Sequence, residues 1–171
     1  LICILDTGAR LDHESFDSLD VVATYDFVFG DTIVHNQAGQ DSSFQHYHGT
    51  ATLSTMAGYT DSLLIGPAYG ASVLVAKTEW VATETQQEED NYVAGLEWAD
   101  SLGARITTSS LGYIGDAPNF WYDFSDLDGH TAVTTRGLEM AASRGILCVT
   151  AAGNENGGPW NHIITPADAD S

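Results

Sequence analysis

Apolar residues fall in short blocks along this chain, and the blocks alternate with stretches of helical spacing. Blocks at 1–5, 21–28, 71–77, 105–111 and 146–151 are rich in Val, Ile, Leu and Ala and do not alternate strictly with polar residues. Strands covered on both faces read this way, whereas half-exposed strands alternate. Helical spacing is expected over 48–57, 84–102 and 131–144, with Gly103 and Gly145 where the later two should stop. In the second helix Tyr92, Val93, Leu96, Trp98 and Ala99 lie near a 3.6-residue period, a stripe that faces a core. Strands alternating with helices predict an α/β protein with a mainly parallel central sheet. Residues 30–47 and 113–130, rich in Asp, Gly, Ser, Asn and aromatics, read as surface loops. No repeat or linker divides residues 1–171, which read as one domain.

The 171 residues, 43% of them hydrophobic, are enough for a sizeable core. No apolar stretch reaches the roughly 18 residues of a membrane span. Twenty-four acidic residues against five basic ones give a net charge of −19, which repels nucleic acid and anionic membranes and excludes both as partners. The acids are scattered among apolar elements, so a disordered acidic tail is not indicated. They suit either solubility or cation binding; Asp26, Asp31 and Asp41 are the nearest candidates for calcium, without an EF-hand spacing. Cys3 and Cys148 fall in different predicted strands. With one strand between them they lie about 9.5 Å apart, beyond the roughly 7 Å that a disulfide spans, so two buried free thiols are expected.

In a parallel sheet, functional residues gather at the carboxyl ends of the strands. Asp6, Ser110 and Asn154 stand at or near such ends, and His48 opens a helix. A carboxylate, an imidazole and a side-chain amide suit acyl transfer. His48 serves as general base toward a hydroxyl nucleophile, Asp6 holds its other ring nitrogen, and Asn154 donates to the oxyanion. His46 competes with His48, but Gly49, Thr50 and a run of small residues follow His48.

Asp6-Thr7-Gly8 after an apolar run, with His13 shortly beyond, His48-Gly49-Thr50, and Ala152-Gly153-Asn154 stand in a fixed order. Together they resemble the aspartate, histidine and oxyanion-asparagine motifs of the subtilisin-like serine proteases. Ser109-Ser110-Leu111-Gly112 resembles that family's segment that pairs with substrate backbone, and Thr165-Pro166-Ala167 its later Pro-Ala step. The resemblance implies a three-layer α/β fold and a serine endopeptidase. Asp6, His48 and Asn154 would be catalytic; Ser110, Leu111, Gly112, Ala152 and Gly153 would hold the peptide by strand addition. It also implies secretion, peptide or protein substrates, a monomer when complete, and no cofactor or metal for the chemistry.

Spacings depart from the pattern. Asp6 to His48 is 42 residues and His48 to Asn154 is 106, against about 32 and about 91 in a subtilisin. Longer rim loops absorb the excess. None of the thirteen serines follows Gly-Thr; the nucleophile is expected roughly 65 residues after Asn154, and only 17 follow it. The sequence therefore reads as the N-terminal part of a catalytic domain, inactive and aggregation-prone alone. Three other readings remain: an aspartic protease built on Asp6-Thr7-Gly8, a zinc hydrolase using His46, His48 and Asp6, and a non-catalytic domain that binds peptide or a partner.

Overall fold

The computed structural model describes residues 1–115 and 119–170. Its centre is a five-stranded parallel sheet built from β1 (Ile2–Asp6), β2 (Asp20–Asp26), β5 (Ser72–Lys77), β6 (Ile106–Ser109) and β7 (Leu147–Thr150). The strands lie in the order β2-β5-β1-β6-β7, which puts β1 in the middle. Three helices cover the sheet: α1 (Tyr47–Ala57), α2 (Gln87–Ser101) and α3 (Val133–Ser143). The expected helix ends at Gly103 and Gly145 are present, both glycines having positive φ.

Side chains of a strand point alternately to its two faces, and β1 and β5 use both. Cys3, Leu5, Leu74 and Ala76 join Tyr92, Leu96 and Ala99 of α2 and Leu138 and Ala141 of α3 in one core. Ile4, Val73 and Val75 join Leu53 and Ala57 of α1 in another. The result is helix, sheet and helix pair in three layers, which explains why these two strands show no polar alternation. At β7 the covering is one-sided. Cys148 faces the α3 side, its thiol near the Leu138 carbonyl, while Leu147 and Val149 are 62% and 52% exposed. The α1-side core is built from β1 and β5, with Val21 of β2 packed against it.

Several expectations change in detail. β6 ends at Ser109 rather than 111, because the chain leaves the sheet and Tyr113 bridges to Thr165 instead. A short hairpin, β3 (Tyr59–Thr60) with β4 (Leu64–Ile65), follows α1 and was not indicated by any periodic run. Cys3 and Cys148 are both free, each in register with Thr107 of the intervening β6; Cys3 is buried but Cys148 is only half-buried. Among the described residues no helix is long and apolar enough to cross a membrane.

The acids considered for calcium are otherwise engaged. Lys77, at the carboxyl end of β5, is wholly buried and its ammonium lies 2.8 Å from both Asp26 and Asp41. The same ammonium sits 4.8 Å from the Phe29 ring centroid. Asp31 caps the loop, accepting from the Ile33 amide at 2.6 Å and from the Gln37 side chain at 3.0 Å. The cation among Asp26 and Asp41 is thus the protein's own, and it ties the long 27–45 loop to the sheet.

Removing one member of a buried ion cluster leaves uncompensated charge and typically costs about 3–5 kcal/mol. Lys77→Ala should therefore lower the denaturant midpoint by an amount equivalent to about that energy. A shift no larger than that of an exposed control such as Arg136→Ala would contradict this role.

Candidate active site

Asp6 ends the central strand and is 1% exposed, so the protein must supply the partners that water cannot. It does so on both carboxylate oxygens. Oδ1 accepts from the Thr7 amide at 2.7 Å and meets His48 Nδ1 at 2.7 Å. Oδ2 accepts from the Thr52 hydroxyl at 2.9 Å. Thr52 lies one helical turn beyond His48, so both side chains leave the same face of α1 toward the carboxylate.

The start of α1 is held against the turn that follows β1. The Gly49 amide donates to Thr7 Oγ1 at 3.1 Å, and the Arg10 amide donates to Thr50 Oγ1 at 2.9 Å. The two segments touch so closely that a Cβ on Gly49 would sit 2.0 Å from the Gly8 carbonyl oxygen. Gly8 itself has φ +99°, and a Cβ there would lie 2.2 Å from the Val34 carbonyl oxygen. Glycine is required at both positions, one for close approach and one also for its backbone angle.

Asp6 is an acceptor, so Nδ1 of His48 carries the proton and Nε2 is left as the basic nitrogen. The ring remains half-exposed. Its pKa is raised above 6.5 by the Asp6 hydrogen bond, against burial, which lowers it. The paired imidazolium thus stabilises the fold fully below 6.5, and this contribution is lost as pH rises through the raised value. The neutral ring, whose Nε2 can accept a proton, predominates above that raised value.

His46 is turned elsewhere. Its Nδ1 accepts from the Asn36 amide at 2.9 Å, and its own amide donates to Asn36 Oδ1 at 2.9 Å. Burial lowers its pKa. It organises the loop and does not converge with His48 on a common point, which removes the basis for a zinc site with Asp6. The next residue back, Gln45, is buried and bridges two rim segments, its Nε2 donating to the carbonyls of Thr7 at 3.0 Å and Glu79 at 2.6 Å. Beside it, burial and repulsion by Glu88 and Glu84 push the Glu79 carboxyl up to about 8.

Ser110 is exposed just past β6, and Asn154 is exposed just past β7, two strands from Asp6 on the same rim. The structure therefore brings Asp6 and His48 into contact and leaves Asn154 apart from them. Gly112 and Gly153 do converge, on Ile164. A Cβ on Gly112 would lie 2.0 Å from Ile164 Cδ1, and one on Gly153 would lie 2.8 Å from Ile164 Cγ1. Leu111 is buried, and Ala152 and Gly153 line a shallow hollow with His162 and Ile163. Thr52, Gln45 and Ile164 escaped the sequence reading. Only Thr52 left a signal there, its four-residue spacing from His48.

A central-strand carboxylate thus holds a helix-borne imidazole at the carboxyl rim of a parallel sheet, an arrangement suited to acid–base chemistry. The model of the Subtilase family matches residues 1–170, and this chain belongs to that family. It is 26% identical over 159 residues to fervidolysin of Fervidobacterium pennivorans, covering 90% of this chain and 20% of that protein. It is 25% identical over 169 residues to subtilisin Savinase of Lederbergia lenta, covering 98% of this chain and 52% of the relative. The crystal structure of fervidolysin, described as a keratinolytic enzyme related to subtilisin, superposes with a TM-score of 0.67 at 24% identity, covering 97% of this chain and 22% of that one. The self-cleaved protease domain of PatA gives 0.66 at 20% identity, covering 99% of this chain and 54% of that one. The chain thus spans about half or less of the proteins it matches.

If Asp6 sets the proton affinity of His48, Asp6→Asn should bring the imidazole pKa down to 6.5 or below. An NMR titration of the His48 ring reads this directly. An unchanged value would show that the 2.7 Å contact does not govern the ring.

Proposed function

We propose that this chain carries the acid–base and substrate-holding parts of a serine endopeptidase. The nucleophilic serine would come from a Gly-Thr-Ser segment outside these 171 residues. The observation that supports this most is the 2.7 Å contact between the buried Asp6 carboxylate and His48 Nδ1, which leaves Nε2 free to act.

In the proposed reaction the serine hydroxyl attacks the scissile carbonyl as His48 Nε2 takes its proton. Asp6 stabilises the imidazolium and keeps its orientation. Asn154 donates its amide to the oxyanion of the tetrahedral intermediate. His48 then returns the proton to the leaving amine, and water hydrolyses the acyl-enzyme by the same route. Ser110, Leu111 and Gly112 would pair with the substrate backbone, with Ala152 and Gly153 as the facing wall. Asn154 needs no contact with His48 for this role, since its target is the substrate oxygen. The substrates would be peptides or proteins, and the complete protein a secreted monomer. A domain that merely bound peptide would have no use for an imidazole held in one tautomer, which favours catalysis over the binding-only reading.

Ile164 adds a specificity. Seated against both Gly112 and Gly153, it fills the space between the two walls. The residue before the scissile bond would accordingly be small.

The first test is to read the parent gene past the Ser171 codon and assay its full product with peptide anilides. A labelled serine in Gly-Thr-Ser roughly 65 residues after Asn154 is expected, with no fluorophosphonate label on the 171 residues alone. A full product that hydrolyses nothing and takes no label would return the function to binding. In the active product His48→Ala should lower kcat by about 10⁶, and Asn154→Ala by about 10²–10³.

Ile164→Gly should raise kcat/KM for a large aromatic residue relative to alanine before the scissile bond by about tenfold or more. Equal preference in both proteins would place the pocket elsewhere.

A further inference from the structure

Basic groups are scarce in this chain, five against 24 acids. Lys77 is enclosed by Asp26 and Asp41, and Arg144 pairs with Asp100. Arg10 stands apart from these, in the turn after β1 whose backbone docks on α1. It lines two hollows of about 440 and 410 Å³, and His46 lines both as well. His13 and Tyr47 belong to the first, His35 and Asp12 to the second. An arginine and three of the six histidines thus gather in one place on a strongly acidic protein. Tyr47 and Ala51 of α1 flank the first hollow, which therefore opens about a quarter turn around the helix from the His48 ring.

Local bonds fix where the ring hydrogens lie. His46 Nδ1 accepts from the Asn36 amide at 2.9 Å, and His13 Nδ1 accepts from the Ser15 amide at 3.2 Å. Each ring, when neutral, therefore carries its hydrogen on Nε2 and is a donor there. Burial first, then the nearby His35 and Arg10, hold the His46 pKa below 6.5, so this ring is neutral at pH 7. Thr50 Oγ1 accepts the Arg10 amide and donates to the His46 carbonyl at 2.6 Å, which ties Arg10 to His46. The Arg10 guanidinium meets Asp12 through Nε at 3.1 Å, but both side chains are exposed and water weakens such a pair. The hollow thus combines N–H donors with apolar surface from Tyr47 and Leu64.

We propose that Arg10, His13 and His46 bind a single carboxylate, the side chain of an aspartate or glutamate in a peptide lying along the rim. The planar guanidinium fork matches the two oxygens of a carboxylate. The imidazole N–H groups add donors, and Tyr47 and Leu64 cover the methylene stem of the acid. The hollow balances one negative charge, because its guanidinium is partly offset by Asp12 and its His46 ring is neutral. A phosphate group, at nearly two charges, exceeds that balance. The field of a chain with net charge −19 would repel it further. A peptide would then be favoured when it places one acidic residue beside α1 and keeps the rest uncharged or basic. That use by a substrate rests on the peptidase reading, whereas carboxylate binding itself does not.

The test is an NMR titration of the full product of the parent gene with its histidine rings labelled. The probe is glutamate blocked at both backbone ends, set against its glutamine twin and inorganic phosphate. Blocked glutamate should shift the His13 and His46 ring signals saturably, with His130 unmoved, and blocked glutamine should shift none of them. Arg10→Gln should weaken the response about tenfold or more. The variant keeps its fold because the amide bond to Thr50 remains, which circular dichroism checks. Blocked glutamate that moves neither ring, an equal response to glutamine, an undiminished response in Arg10→Gln, or tighter binding of phosphate would overturn the site. In a product that cleaves peptide anilides, one substrate position should prefer Glu to Gln by about tenfold in kcat/KM, and Arg10→Gln should abolish the preference. A flat profile in that product would overturn the substrate assignment. A product that cleaves nothing refutes the peptidase reading, and the ring shifts still decide the site.

Discussion

The structure turns on a charge kept out of water. Asp6 ends the central strand with almost no exposure, and a carboxylate in that position is tolerable only when its oxygens are bonded. Meeting that requirement fixes much else. The Thr7 amide, the Thr52 hydroxyl and the His48 ring all point at one group. Those contacts dock the start of α1 on the end of β1 and hold the turn at Gly8 and Gly49 in close approach. The same bonds that satisfy the carboxylate also select the imidazole tautomer, so the stability of the site and its proton affinity have one cause.

A second buried charge stands one strand away. Lys77 continues the end of β5 beside the end of β1, in register with Asp6 itself. Its two carboxylates come from β2 and from the long loop before α1. A chain with 24 acids and five basic residues can spare few cations for its interior, and one of them is spent here. The loop it anchors carries Gln45 and His46, which in turn set the position of the helix that bears His48. The geometry of the Asp6–His48 pair thus leans on an ion cluster that takes no part in the proposed chemistry.

The rim segments proposed to hold peptide obey a steric rule rather than an electrostatic one. Gly112 and Gly153 come from segments following neighbouring strands, and both lack the Cβ that would collide with Ile164. Rim loops vary most readily because the sheet beneath them does not depend on their length.

Much of the fold was legible because it rests on local periodicity. Unbroken apolar runs marked β1 and β5, helical spacing marked α2 and α3, and positive-φ glycines marked where helices end. That Asp6 ends a strand and His48 lies in the first turn of a helix was legible from the short segments around them. What sequence could not decide were relations between distant segments: that Lys77 rather than a metal sits between Asp26 and Asp41, that His46 turns to Asn36, and that Ile164 lies between two glycines. The one-sided covering of β7 also emerged only from the layer arrangement. Periodicity records which face of an element avoids water, and that is a property of neighbouring residues along the chain. Which buried charge meets which partner depends on distances across the sheet, and those exist only once the chain has folded.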